Sequence, residues 1–408
     1  MSIIVQKFGG SSVANVECIQ NVAKIIKAEF QKGNKVIAVV SAMFGTTDNL
    51  ISLCDSIHKA SDKMSASEYD AVISSGEQIS AGLVAMALIN NGIKAVSMNG
   101  WQIGLKTDDS YSKARILGLD NKEEILQKLN NGFVVVVPGF QGISSEQRTT
   151  TLGRGGSDAS AIAIAISIGA ERCDIYKDVK GVYTTDPRIC ENARKIDHLS
   201  HEEMLEMSST GSKVLQTRAV EMAMRHNFPI NVRSTFDLSD LGTIISGEKV
   251  KKNDIISGIS HTAKELLFSI NRISNFKDFF SILLESLILH NIEIDILVTN
   301  EYQDGDKSFG DISFSLLLTD LHRLKIVIDS MKKLFSFETK INDDVVKISI
   351  VGSEINEYSG IAGRLFKALG KYNVPVLSIG SSPIKISTII PAHFSEFAIK
   401  TIHDEFFK

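Results

Sequence analysis

The chain has 408 residues, 43% hydrophobic and 23% charged, a globular composition that excludes wholesale disorder and suits two or three domains. Lys plus Arg number 44 against 48 Asp plus Glu, a net charge of -4, so no positive excess exists to hold a nucleic-acid backbone. Cys18, Cys54, Cys173 and Cys190 form no C-x-x-C pair and read as reduced thiols, with neither a zinc site nor a disulfide framework. In chain order, Ile3–Val5, Val36–Val40, Ala95–Met98, Phe133–Val137, Cys173–Tyr176 and Ile230–Val232 read as strands. Most are unbroken Val/Ile runs, the pattern of strands buried on both faces of a mainly parallel sheet. Asn15–Lys32, Glu68–Asn90 (broken near Gly76), Asp158–Ile168 and Glu202–Met207 read as helices. This alternation predicts a sheet between two helix layers.

Gly247–Asp254 is a polar, basic connector. Beyond it the chain reads as two βαββα units about 80 residues apart, a duplicated ferredoxin-like module. The first unit holds strand Leu266–Ile270, helix Asn275–His290, strands Ile292–Asn300 and Ile312–Leu318, helix Asp320–Phe335 and strand Phe337–Ile341. The second holds strand Val345–Val351, helix Gly360–Tyr372, strands Val374–Ile379 and Ile384–Ile390 and helix Ala392–Phe407. It lacks a fourth strand, which Ile255–His261 is expected to supply. The predicted domains are therefore 1–248, 262–341, and 342–408 plus strand 255–261. With no signal peptide and apolar runs too short to span a bilayer, the sequence predicts a soluble cytosolic protein.

Three motifs carry chemistry. Lys7-Phe8-Gly9-Gly10-Ser11-Ser12 joins a strand to a helix; its glycines let the backbone approach an anion, and free N–H groups and a lysine favour phosphate. It is not a Walker A loop, and a tight strand-to-helix connection would look similar. Thr150-Thr151-Leu152-Gly153-Arg154-Gly155-Gly156-Ser157-Asp158 repeats the design, with an arginine suited to a carboxylate. Two such helix starts suggest two anionic substrates brought together. Lys177-Asp178-Val179-Lys180-Gly181-Val182-Tyr183-Thr184-Thr185-Asp186-Pro187-Arg188 is too polar for core and suits a nucleoside and its phosphates, or a long solvated hairpin. Ser41, Thr47, Ser75-Gly76-Glu77-Gln78 and Gly211-Ser212-Lys213 are weaker singly.

Together these residues resemble the aspartate kinases of the amino acid kinase family, through KFGGSS at 7–12, SGEQ at 75–78, TLGRGGSD at 151–158 and KDVKGVYTTDPR at 177–188. The C-terminal pair resembles their ACT domains, and the likeness covers essentially the whole chain. It implies a three-layer αβα amino acid kinase fold, mainly parallel, followed by two ferredoxin-like (βαββαβ) ACT modules. It also implies that the β-carboxylate of L-aspartate attacks the γ-phosphate of Mg-ATP. The product is 4-phospho-L-aspartate, in the first step of the lysine, threonine and methionine (diaminopimelate) route.

By the same resemblance, Lys7 and the N–H groups of Gly9, Gly10 and Ser11, beside Phe8, hold the β/γ-phosphates, with Lys213 as second cation; Lys7, Asp158 and Lys213 are the catalytic set. Mg²⁺ sits on phosphates and water, and no protein metal site is expected. Arg154 grips an aspartate carboxylate on the loop Gly155, Gly156, Ser157; Glu77 and Asp158 take the ammonium; Thr47 and Ser41 donate nearby. Lys177, Asp178, Tyr183, Asp186 and Arg188 line the nucleotide pocket. The ACT pair implies a homodimer or higher homo-oligomer and feedback by lysine, threonine or both, through Asn275, Asp295 and Thr299. Here the sequence departs from the pattern: Asn271–Phe276 lacks the acid-x-Pro-Gly turn, Tyr358-Ser359 precedes Gly360, and Thr299 replaces the usual glutamine. A catalytically inactive ACT-based sensor and a family member acting on another substrate are the alternatives.

Overall fold

The computed structural model describes residues 1–58, 62–248, 255–304, 307–353, 355 and 360–408. Most of the connector Gly247–Asp254 and the pair Tyr358-Ser359 fall outside them. Two compact units emerge. The first is Met1–Val182, Lys195–Ser208 and Lys213–Lys251; the second is Tyr183–Arg194, Ser209–Ser212 and Lys252–Lys408. Two short segments of the first 248 residues thus fold with the C-terminal unit.

Unit one contains strands β1 (Ile3–Phe8), β2 (Lys35–Val40), β3 (Ala95–Ser97), β4 (Leu105–Thr107), β5 (Ile116–Leu119), β6 (Val134–Pro138), β7 (Gln141–Ile143), β8 (Thr149–Thr151), β9 (Arg172–Lys177), β10 (His198–Ser200), β11 (Ile230–Ser234) and β12 (Thr243–Ser246). Its helices are α1 (Val16–Gln31), α2 (Thr46–Ile57), α3 (Lys63–Ile73), α4 (Ser75–Asn90), α5 (Gly100–Ile103), α6 (Lys122–Asn130), α7 (Gly156–Ser167), α8 (His201–Ser209) and α9 (Thr217–Arg225). Among the described residues the main sheet runs β10-β12-β11-β9-β1-β2-β6-β3, parallel except for β11 with β12. A second sheet, β5-β4-β7-β8, is built from strands too short and polar to read from sequence.

The Val/Ile runs are buried on both faces, as their composition requires. Phe8, Val36, Ala38, Val40, Val134 and Val136 pack with Ile19, Val22 and Ile26 of α1 and Val84 and Leu88 of α4. Strand alternation turns Lys7 the other way, toward α7. The helix interruption falls at Ser74, which caps both α3 and α4, rather than at Gly76. Gly76 is needed for a different reason: a Cβ there would lie 2.9 Å from the Ala42 Cβ. The run Lys63–Asn90 is long and apolar enough to cross a membrane by composition, yet 56% of its window is buried in the fold, as for a core helix.

Unit two contains β13 (Gly258–Ile273), α10 (Phe276–Leu289), β14 (Leu297–Asp304), β15 (Lys307–Leu317), α11 (Leu321–Met331), β16 (Glu338–Val351), α12 (Ile361–Lys371), β17 (Ser378–Ser382), β18 (Lys385–Pro391) and α13 (Ser395–Phe407). They form one antiparallel sheet, β14-β15-β13-β16-β18-β17. The segments read as separate strands, 255–261 with 266–270 and 337–341 with 345–351, are single long strands. The first half of β13 pairs Gly258–Thr262 with Val351–Lys347; its second half pairs with both β15 and the start of β16. α10 and α11 cover Leu266, Phe268, Ile270, Ile312 and Phe314, and α12 and α13 cover Ile259, Val346, Ile348, Ile350 and Ile390.

Candidate active site

The site grows from the C-terminal ends of the parallel strands, where open α/β sheets place ligands. Lys7 lies inside β1, one residue earlier than a loop lysine, and is almost wholly buried. Its Nζ is 2.6 Å from Oδ1 of Asp158 in the first turn of α7. The other carboxylate oxygen holds Lys177 Nζ at 3.0 Å, at the end of β9. Burial pushes Lys7 down to about 8, helped by Lys177 and opposed by Asp158. Burial would raise Asp158, but Lys177 and Lys7 outweigh it and bring it to about 2. One carboxylate therefore clamps two ammonium groups.

The first glycine turn is shaped differently from the sequence expectation. A one-turn 3-10 helix, Gly10–Val13, stands between it and α1, whose own start is capped by Asn15. The Gly9 N–H donates to the Tyr176 carbonyl and so is spent on structure, whereas those of Gly10 and Ser11 donate to no described residue. Phe8 is fully buried and stacks on Tyr176 with ring centroids 4.8 Å apart, so its side chain belongs to the core and not to a nucleotide site.

Glu77 enters from α4. Its Oε1 accepts the Ala42 N–H at 3.0 Å, and Oε2 is buried with no hydrogen-bond partner among the described residues. Burial raises its pKa to about 7, against the Ala42 bond and the charge of Lys7. Ser41, at the end of β2, gives its N–H to the Phe8 carbonyl, and half-buried Thr47 lies in the first turn of α2.

The second glycine loop needs left-handed backbone at Gly153 (φ +77°) and Gly155 (φ +73°), which caps α7. Gly156 and Ser157 are buried in the opening turn of α7. The Arg154 side chain is 90% exposed and held only by a long, solvent-exposed ion pair to Asp48 at 3.8 Å. Lys213 is exposed and makes no ion pair among the described residues, and α9 starts beyond it, at Thr217. Sequence reasoning missed Gln216: its side chain donates to the Arg154 carbonyl at 2.8 Å and its N–H faces Asp158 Oδ2 at 3.4 Å. Nothing in a lone glutamine after Gly-Ser-Lys signals this.

The other assigned residues do not all join this cluster. Asp178 is exposed beyond β9. Tyr183, Asp186 and Arg188 belong to unit two, where Arg188 closes on Asp186 at 2.7 Å. In the same unit, Asn275 caps α10 and donates to Asp278 at 2.6 Å, and Thr299 is exposed on β14. Asp295 is held by Lys347 at 2.6 Å, and Lys347 is equally close to buried Glu265. An effector amine at Asp295 would have to displace that lysine.

The profile of the amino acid kinase family matches residues 2–234, and an ACT domain profile matches residues 348–406. The chain is 38% identical over 408 residues to aspartokinase 2 of Bacillus subtilis, covering 100% of this chain and 98% of that one. Its fold is that of E. coli aspartokinase III, solved with aspartate and ADP (TM-score 0.83) and with lysine and aspartate (TM-score 0.73). Each is 24% identical and covers 100% of both chains.

Proposed function

This chain belongs to the aspartokinases of the amino acid kinase family, and from that premise we propose that it transfers the γ-phosphoryl group of ATP to the β-carboxylate of L-aspartate, under control of its ACT region. The observation that carries the reading is the buried Lys7–Asp158–Lys177 clamp beside the open N–H groups of Gly10 and Ser11. Glu77 Oε2 adds a buried acceptor without a partner among the described residues.

The acceptor carboxylate has a pKa of about 4 and is ionised at pH 7, so no general base is required. Its oxygen forms a bond to the γ-phosphorus while the bond from phosphorus to the bridging oxygen breaks, releasing ADP. What remains is to bring two anions together and neutralise the charge spread over the transferring oxygens. Lys7, with the N–H groups of Gly10 and Ser11, serves the phosphates, and exposed Lys213 is the second cation. Arg154 holds an aspartate carboxylate, Glu77 its ammonium, with Thr47 and Ser41 beside them. The geometry supports a changed role for Asp158: with both oxygens engaged by lysines, it organises cations rather than receiving the substrate ammonium. Lys177 and Asp178 serve the nucleotide side.

Mg²⁺ is the expected companion of ATP. Among the described residues, no three His, Cys, Asp or Glu side chains group to hold a metal, and Asp158 is already paired. The ion fits the phosphates and water rather than a protein cage.

An assay coupling ADP release to L-aspartate, with hydroxylamine trapping the acyl phosphate, tests the reading: aspartyl hydroxamate is expected, and its absence with active nucleotide binding refutes it. Lysine and threonine, singly and together, are the effectors to add, and a homodimer through the ACT region is the expected assembly. On the same reading it stands at the head of lysine, threonine and methionine synthesis, in the cytoplasm.

A further inference from the structure

The carboxylate of Asp70, in α3, is fully buried and has no part in the reaction above. Its Oδ2 accepts the backbone N–H groups of Ser112 at 2.8 Å and Thr151 at 2.7 Å. Its Oδ1 accepts the hydroxyls of the same two residues, at 3.1 Å and 2.9 Å. Burying a carboxylate is expensive unless it is fully bonded. Here burial pushes the pKa up and these four bonds oppose it.

The two partners are not arbitrary. Thr151 ends β8 and is the root of the loop that carries Arg154. Ser112 has φ +66°, and its carbonyl lies 3.3 Å from where a Cβ on Gly153 would sit. On the other side, the helix of Asp70 runs directly into Ser74, the shared cap, and then into the first turn of α4 with Glu77. The Ser74 carbonyl is itself held by Gln141 Nε2 at 3.2 Å.

We propose that Asp70 is the positioning residue of the amino-acid site: its four bonds fix the separation between the Glu77 carboxylate and the Arg154 loop, and hence the length of amino acid that can bridge them. This rests on the reading of Glu77 and Arg154 given above.

The test is Asp70→Ala in the full chain. The change removes both carboxylate oxygens and leaves the Ser112 and Thr151 N–H groups without their acceptor. The aspartate KM is expected to rise about tenfold, with ATP KM and kcat within about twofold, and tryptic cleavage after Arg154 is expected to quicken. An aspartate KM within twofold of the parent in a folded variant, or equal rises in both KM values, overturns the proposal. Should Asp70→Ala not fold, Thr151→Val removes one of the four bonds; a rise of about threefold in the aspartate KM alone supports the proposal, and no rise overturns it. Should the parent make no aspartyl phosphate, the functional reading falls and the tryptic rate alone decides whether Asp70 holds the loop.

Discussion

Lys7 and Asp158 meet at 2.6 Å with both side chains almost wholly out of solvent, and Lys177 completes the group at 3.0 Å. A buried ion pair contributes little net stability, so the geometry is best explained by what it keeps in place: two cations close together at a phosphate site. Asp158→Asn should lower kcat by about 10²-fold and change the aspartate KM by less than about threefold. A loss confined to that KM would return Asp158 to the substrate ammonium.

Lys7→Ala should lower kcat by about 10²-fold or more, because its charge matters most as the transferring oxygens gain charge. Since Lys7 sits at about 8 in the free protein, its charged fraction falls as pH rises through that value, and kcat/KM should decline above about pH 8. Lys7→Arg, permanently charged, should lack that limb. A decline at the same pH in both proteins would point to another group.

Glu77, raised to about 7 by burial, binds a proton more tightly folded than unfolded. Its ionisation therefore costs stability as pH rises from the unfolded value toward 7. Glu77→Gln should match the parent near pH 4 and gain about 3 kcal/mol by pH 8 in urea unfolding, while its aspartate KM rises at least tenfold. Equal stability at both pH values would contradict the burial argument.

Arg154→Ala should raise the aspartate KM by about 10-fold to 100-fold and leave thermal stability unchanged, since a side chain 90% exposed carries almost no packing. A drop in the melting temperature would mean that the loop depends on the arginine structurally.

The parallel sheet was legible because buried strands must be apolar on both faces, and KFGGSS and TLGRGGSD because glycine and capping residues mark their turns. The second sheet was not, since three-residue strands such as Thr149–Thr151 leave no periodicity. Nor was the continuity of β13: exposed Ala263 and Lys264 interrupt the apolar pattern at a register shift between Thr262 and Glu265, while the backbone simply continues. The burial of Asp70 was not legible either, because nothing local to it announces partners at Ser112 and Thr151.

Lys347 should matter to unit two. It is nearly buried between Glu265 and Asp295; burial pushes its pKa down, but the two carboxylates outweigh that and hold it charged. Lys347→Ala leaves Glu265 without its counter-charge and should cost about 3 kcal/mol in urea unfolding. Adding Glu265→Gln should recover much of the loss, and a second substitution that merely adds to the first would show the pair to be uncoupled.

The shared strands β13 and β16 have a mechanical meaning. Each runs through both halves of the six-stranded sheet, so neither half can be lifted out, replaced or twisted by itself. The sheet is a plate with two continuous ribs, and a gene fusion cut between residues 262 and 345 would yield two torn pieces instead of two modules.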